Sequence, residues 1–583
     1  MGGVGLLERE FIRLFAKRYA GNARVVLITS LILNLLMFAG SIYMLLVYDS
    51  VLPSGSIPTL AGLFVMLVLL YALQAAFEMV RSEALLTIAN GVHRDLFASV
   101  HHAAVTRSLK GEKDALQLTR DLDQVHTFLA GTGPIAIIDL PWVAAFLIVL
   151  FALHWSLGLA ALFGALVLAA IAWITARRSA LGNQRMMAIT GRRLATTQAE
   201  LRFAESAIAM GMQDRLRSRS ALCDADYIDA QSYFSRTVAR LGGAGRVFRI
   251  FVQSLILSVG ALLVIDNKAT GGIIIASSVL AGRALAPVDL AIANWKGLSA
   301  ASEGWSRLVK AITLHTLPEP RQVTLARPSG DVVVKDIWVA PPGAQSFVLN
   351  GVSMVLQPGQ AVAIIGPSAA GKTSLAKALL GIWKPARGEI RIDGATHDQW
   401  TPDAIGAAMG YVPQAVELME GTLGENIARF DPDATSDSIL AAAKAAGLHE
   451  TILGFANGYE TAVSTGGGEF SAGQRQRIGL ARALYGDPHL VVLDEPNSNL
   501  DAEGDAALAT AIAGVRKRGG IVVMITHRPA TLGPVSAIAV LNAGRLVDYG
   551  DRDAVLKRLA EKGGAAKPAG RAANGAKQEG LTA

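Results

Sequence analysis

AVAIIGPSAAGKTS, from Ala361 to Ser374, is the stretch on which the reading of this chain turns. A short apolar, β-prone run, Ala361 to Ile365, meets a glycine-rich loop, and the helix-prone segment SLAKALLG follows Lys372 and Thr373. The spacing from Gly366 to Thr373 is G-x-x-x-x-G-K-T. Backbone N–H groups in such a loop can wrap a polyphosphate, because glycine permits close approach and the next helix presents its positive end. Gly366, Pro367, Ser368, Ala369, Ala370, Gly371, Lys372, Thr373 and Ser374 therefore form a candidate ATP site. Lys372 is placed to reach the β- and γ-phosphates, and Thr373 to offer its hydroxyl to Mg²⁺. A plain Gly-rich turn is the competing reading, and a strand before with a helix after favours the nucleotide.

The rest of the C-terminal half supplies partners for that loop. Gly410-Tyr411-Val412-Pro413-Gln414 ends a strand with a glutamine. Leu490-Val491-Val492-Leu493-Asp494-Glu495-Pro496 is a buried-strand run ending in two carboxylates, and Ile521 to His527, IVVMITH, is another ending in a histidine. Apolar strands alternating with helical segments predict a largely parallel α/β sheet with ligands at its carboxyl edge. Asp494 can hold Mg²⁺ through water, at the end of a strand expected beside that of the phosphate loop. Glu495 can take the proton from the attacking water. Gln414 can touch both metal and water, and His527 can hydrogen-bond the γ-phosphate. Glu495, His527 and Gln414 are thus the candidate catalytic set, with Thr373, Gln414 and Asp494 around the metal.

The N-terminal half obeys a different chemistry. The 583-residue chain is 52% hydrophobic and only 17% charged, against about 25% charged for soluble proteins. Six apolar stretches are long enough to cross a bilayer: Val25–Val47, Thr59–Phe77, Ile135–Leu153, Ser156–Ala176, Ile250–Ile265 and Gly272–Leu290. Arg9, Arg13, Lys17, Arg18 and Arg24 precede the first, which predicts a cytoplasmic N-terminus, and an even number of spans returns the chain to that side. The polar stretches 78–131 and 177–246 predict helices reaching into the cytoplasm, and the net charge of +7 fits basic loops beside a membrane better than a nucleic-acid surface. Asp139 and Asp289 belong either to membrane edges or to the bundle interior, and Arg283, one turn before a helix-bending Pro287, is expected to line a hydrated pathway. A single cysteine, Cys223, leaves no intrachain disulfide. The opening MGGVGLLEREFIRLF lacks the layout of a signal peptide. The predicted fold is a membrane α-helical bundle of six spans followed by an α/β P-loop nucleotide-binding domain. Its expected divisions are 1–23, a cytoplasmic segment; 24–310, the membrane domain; 311–330, a Pro-containing linker; 331–560, the nucleotide domain; and 561–583, a disordered tail.

Taken in order, the C-terminal motifs resemble the nucleotide-binding domain of ABC transporters, with Walker A, Q-loop, signature, Walker B, D-loop and H-loop. The resemblance implies that Phe470-Ser471-Ala472-Gly473-Gln474 is the signature. It implies further that Ser471, Ala472, Gly473 and Gln474, with Asp501 of the D-loop, complete the ATP site of a second copy in trans, so a homodimer. Two positions depart from the family pattern. Ala472 replaces a glycine, at a cost of roughly 1–2 kcal/mol if the position needs φ above zero and almost nothing otherwise. Ala340 precedes Pro341 where the family stacks an aromatic on adenine; Trp338 either takes over that role or simply packs on its strand.

Across most of its length the chain resembles the exporter branch. YMLLVYDSVLPSGSIPTL (43–60), RDLDQVHTFLAGTG (120–133), IDLPWVAAF (138–146), AESAIAMGM (204–212) and SSVLAGRALAPV (277–288) resemble type I secretion exporters of proteases and RTX-type proteins. That implies ATP-driven export of unfolded polypeptides bearing a C-terminal signal across the bacterial inner membrane. Its expected partners are a periplasmic adaptor (membrane fusion protein), an outer-membrane channel protein and the lipid bilayer, and no nucleic acid. Only 24 residues precede the first span, so no peptidase-like domain is expected there. The turns at 111–116 and 204–215 are expected, by the same analogy, to couple ATP use to the spans. An exporter of lipids or small hydrophobic molecules shares this engine and topology and stands as the alternative. A soluble relative acting on DNA or ribosomes would lack the six spans.

Overall fold

This computed structural model describes residues 17–112, 115–314, 325–344, 346–527 and 532–564. They form two compact units, one mostly before residue 318 and one mostly after it. Half of the expected linker, 315–324, and most of the expected tail, 565–583, lie outside the described residues, while 311–314 end the helix Gly271–Leu314.

The first unit is all helix. Five helices are long and apolar enough to cross a membrane: Ala20–Ser54, Ile57–Leu109, Trp155–Arg178, Gln213–Ile265 and Gly271–Thr313. The pair Gly133–Asp139 and Trp142–Leu153, bent by 41°, makes the sixth span. That bend was not legible as a break in an apolar run. Pro141, which cannot donate a backbone hydrogen bond, sits directly before Trp142 and accounts for it. None of the most apolar window of the second span is buried within the unit, as a lipid-facing helix allows and a water-facing one does not. Phe146, Leu150, Leu157, Leu168, Val252, Ile256 and Leu280 form the core between the last four spans.

Helical order runs further than the composition suggests. The connection YDSVLPSGSIP holds two prolines, yet a π-turn at Val47–Val51 and the turn Leu52–Ser54 carry the first helix through most of it. Only Gly55, at φ 61°, reverses the chain. Gly91 does not interrupt helix Ile57–Leu109. A Cβ there would lie 2.6 Å from the Tyr19 ring, so the glycine admits that ring, whose hydroxyl donates to Asp95 at 2.6 Å. Pro287 likewise lies inside the continuous helix Gly271–Leu314. His154 caps helix Trp155–Arg202, its Nδ1 accepting from the Ser156 backbone at 3.2 Å.

The second unit is α/β. Its strands are β1 (Val332–Val339), β2 (Leu349–Leu356), β3 (Ala361–Ile365), β4 (Arg387–Ile392), β5 (Ala395–Thr396) and β6 (Met409–Val412). They continue with β7 (Gly421–Thr422), β8 (Ala462–Val463), β9 (Leu490–Asp494), β10 (Ile521–Ile525), β11 (Ala537–Asn542) and β12 (Arg545–Asp551). One sheet runs β12-β11-β3-β10-β9-β6 and is parallel except for β12. A second, antiparallel sheet runs β2-β1-β4-β5, which the alternating strand–helix pattern did not announce. β9 and β10 are buried along their whole length, as strands covered on both faces must be. The strand of Asp494 is not the immediate neighbour of β3, as the sequence led us to expect; β10 lies between them. Pairing of Ile525 with both Ile364 and Asp494 still brings the three carboxyl ends level.

Candidate functional site

At the end of β3 the chain enters the phosphate loop. Gly366 has φ 153° and a Cβ there would come within 2.1 Å of the Leu541 carbonyl oxygen, so only glycine fits. Gly371, at φ 97°, opens helix Lys372–Leu379. Lys372 is 7% exposed. Its ammonium donates to the carbonyls of Gly366 at 3.0 Å and Pro367 at 2.9 Å, closing the loop on itself. Burial lowers the pKa of Lys372, against the pull of Glu495 and Asp494.

Asp494 ends β9 at 1% exposure, and among the described residues its buried carboxylate oxygens have no close hydrogen bond, the Thr373 hydroxyl being the nearby donor. Burial raises its pKa above the ordinary carboxylate range, and the nearby Thr373 hydroxyl opposes that rise. A buried carboxylate with unanswered oxygens beside a threonine hydroxyl is a donor set suited to a hard divalent cation such as Mg²⁺. Next to it Glu495 has φ 51°, a left-handed backbone that swings its side chain off the strand direction. Gln414 Nε2 donates to one Glu495 oxygen at 3.1 Å, and His527 Nε2 lies 3.1 Å from the other. Two residues, 81 positions before it and 32 after it, thus meet on the Glu495 carboxylate. The structure brings Gln414, Glu495 and His527 into contact, with Asp494, Lys372 and Thr373 beside them.

The signature residues form a different group. Ser471 caps helix Ala472–Leu484, its hydroxyl accepting from the Gln474 backbone at 3.2 Å while the Gln474 side chain accepts from the Ser471 backbone at 2.9 Å. Ala472 is the first helical residue, not a left-handed one, so its Cβ carries none of the strain considered above. Gly473 is needed where it stands, because a Cβ would lie 2.8 Å from the Asn499 carbonyl oxygen. Asp501 caps helix Ala502–Lys517 by accepting from the Gly504 backbone at 2.8 Å, and sits 3.8 Å from Arg477.

Trp338 lies on β1, partly buried, its indole donating to Asp336 at 3.2 Å. Its ring meets Phe347 edge-on with centroids 5.6 Å apart, and Phe347 is 46% exposed. Phe347 directly precedes Val348, whose carbonyl lies against the phosphate loop at Gly371. Sequence reasoning passed over Phe347, since nothing local marks a loop aromatic. It also passed over Gln476, 3% exposed, whose amide donates to the Glu495 carbonyl at 3.0 Å. The available signal was a polar amide on the otherwise apolar face that this helix turns inward, with Gly479, Leu480 and Ala483.

Residues 349–498 match the family described as ABC transporter, and residues 24–288 match the ABC transporter transmembrane region. The type I secretion system ATP-binding protein PrsD of Rhizobium meliloti is 46% identical over 91% of this chain and 92% of its own length. The exotoxin translocation ATP-binding protein PaxB of Pasteurella aerogenes is 28% identical over 91% of this chain and 75% of its own. The leukotoxin translocation ATP-binding protein LktB of Mannheimia haemolytica is 29% identical over 76% of this chain and 63% of its own. A solved bacterial Atm1-family ABC exporter with ATP bound shares the fold at TM-score 0.78 and 22% identity, over 95% of this chain and 99% of that one.

Proposed function

The chain belongs to the ABC transporter family, membrane half and ATPase half alike, and on that premise we propose that it exports unfolded polypeptides as the inner-membrane ATPase of a type I secretion system. It is a multi-pass membrane ATPase coupled to transport. The observation that carries the export reading is the 46% identity, sustained over 91% of the chain, to a type I secretion ATP-binding protein. The translocation ATP-binding proteins of two toxin systems support it.

The site residues take these roles. The phosphate loop, Gly366 to Ser374, cradles the triphosphate, and Lys372 exchanges its loop carbonyls for β- and γ-phosphate oxygens. Thr373, Gln414 and Asp494 (through water) would hold Mg²⁺, which supplies charge neutralisation to the phosphates. Glu495 takes the proton from the attacking water, held in aim by Gln414 and His527 on its two oxygens. Trp338 and Phe347 form the edge against which adenine rests. Ser471 to Gln474 and Asp501 serve the ATP held by a second copy, so the working unit is a homodimer with N-termini and nucleotide domains in the cytoplasm. A periplasmic adaptor and an outer-membrane channel complete the path, and the cargo carries a C-terminal signal.

The test compares proteins released by cells carrying the parent chain with those from cells carrying Glu495→Gln, followed by crosslinking of the stalled form. Loss of one or a few polypeptides from the medium, with a periplasmic protein captured, is the expected result. An unchanged set of secreted proteins with no captured partner would overturn the reading in favour of lipid or small-molecule export.

A further inference from the structure

We propose that Gln476 is a positioning residue for hydrolysis, holding the backbone of Glu495 and tying it to the Ser498–Asn499 segment and to the signature helix. The inference rests on Glu495 being the carboxylate that receives the proton. Gln476 lies one turn inside helix Ala472–Leu484 and is 3% exposed. Its Nε2 donates to the Glu495 carbonyl at 3.0 Å. Its Oε1 accepts from the Asn499 backbone at 3.3 Å and from the Ser498 hydroxyl at 3.4 Å. The amide orientation is fixed by its partners, since a carbonyl can only accept and the Asn499 N–H can only donate.

Glu495 needs such a hold. Its φ of 51° is one that a side chain with a Cβ resists, and it persists only where neighbours over-determine it. Three backbone contacts do so: its N–H donates to the Ile525 carbonyl at 3.1 Å, and its carbonyl accepts from Gln476 and from the Ser498 N–H at 3.2 Å. The first comes from the core strand β10 and the last is local. Among the described residues, Gln476 is the side chain whose hydrogen bond links this backbone to the helix that begins at the signature. Gly473 on the same helix packs on the Asn499 carbonyl, so helix, segment 498–499 and Glu495 move as one body. Displacement of that helix therefore re-aims the Glu495 carboxylate between Gln414 and His527. A residue that merely satisfied a buried carbonyl would affect folding and leave the chemistry of folded molecules alone.

The full chain is purified and reconstituted in lipid nanodiscs, and ATP hydrolysis is measured for the parent, Gln476→Leu, Gln476→Glu and Glu495→Gln. Gln476→Leu is expected to lower kcat by about ten- to a hundredfold, while KM for ATP moves by less than about threefold. In Gln476→Glu the introduced carboxyl keeps the acceptor side but donates to the Glu495 carbonyl only when protonated. Its kcat relative to the parent should therefore rise as pH falls. Thermal unfolding of each variant establishes that it is folded, and if the leucine variant is not, the pH profile of the glutamate variant decides alone. A parent-like kcat in the folded leucine variant, a parent-like kcat in the glutamate variant above neutral pH, a loss confined to KM, or a glutamate-to-parent ratio independent of pH overturns the proposal. If Glu495→Gln itself hydrolyses ATP normally, the assignment of the proton acceptor has failed; if it is inactive while the Gln476 variants are parent-like, only this inference has.

Discussion

At Glu495 a left-handed backbone turns a carboxylate out of the end of β9, and Gln414 and His527 take hold of its two oxygens. Removing its ability to accept a proton, as in Glu495→Gln, should reduce the ATPase rate by about 10²–10⁴, with nucleotide binding retained in an equilibrium measurement. Asp494 makes a different prediction. Burial lifts its pKa, so the folded chain binds that proton more tightly than the unfolded one, and its carboxylate is a burden that grows as pH rises. Asp494→Asn in the nucleotide-free, Mg²⁺-free protein should therefore unfold at a higher temperature than the parent at neutral pH. The difference should vanish as pH falls through the ordinary carboxylate range, while hydrolysis is lost at every pH. Ala472→Gly should keep ATP hydrolysis within about threefold of the parent, since the position is helical and glycine costs about 1 kcal/mol of helix stability at most. The residue types at these positions were legible in sequence. Their contacts were not, because Gln414, Glu495 and His527 meet only through the register of β6, β9 and β10.

Among the helical elements, the third span is the one whose behaviour its apolar sequence hid. Its break at Pro141 follows Asp139, which is 5% exposed and packs among the helices of the bundle. Arg81 Nη1 donates to Asp139 at 3.2 Å and to Ser30 at 3.2 Å, and Asn34 donates to Asp139 at 2.8 Å. Arg81 Nη2 also holds both oxygens of half-exposed Glu78, at 2.8 and 2.7 Å. Three spans are thus joined by one guanidinium. Losing it leaves the buried Asp139 charge without its cation, whereas losing the Asp139 charge leaves Arg81 still paired with Glu78. Arg81→Met should accordingly destabilise the protein by about 3–5 kcal/mol, and Asp139→Asn by distinctly less, as read from unfolding midpoints in detergent. Asp289, the other uncertain carboxylate, pairs with Arg249 at 2.7 Å.

Across the whole molecule, two chemistries share one chain. The membrane half was legible as six apolar runs because a bilayer demands length and apolarity from every span, whatever its neighbours are. Arg283, exposed on the last of them, carries the expectation of a wet pathway. In a Cys223→Ser background, Arg283→Cys should react with a water-soluble thiol reagent in at least one nucleotide state; protection in every state would place the residue away from water. The sequence by itself determined the spans, the phosphate loop and the identity of the groups at the strand ends, since each is set by local composition or spacing. Only the tertiary structure decided that β10 separates β3 from β9, that the third span is broken beside a buried ion pair, that Gln476 donates to the Glu495 carbonyl, and that Phe347 meets Trp338. Those facts depend on which distant segments pack together, and a buried polar group shows its purpose only once its hydrogen-bond partner is in place.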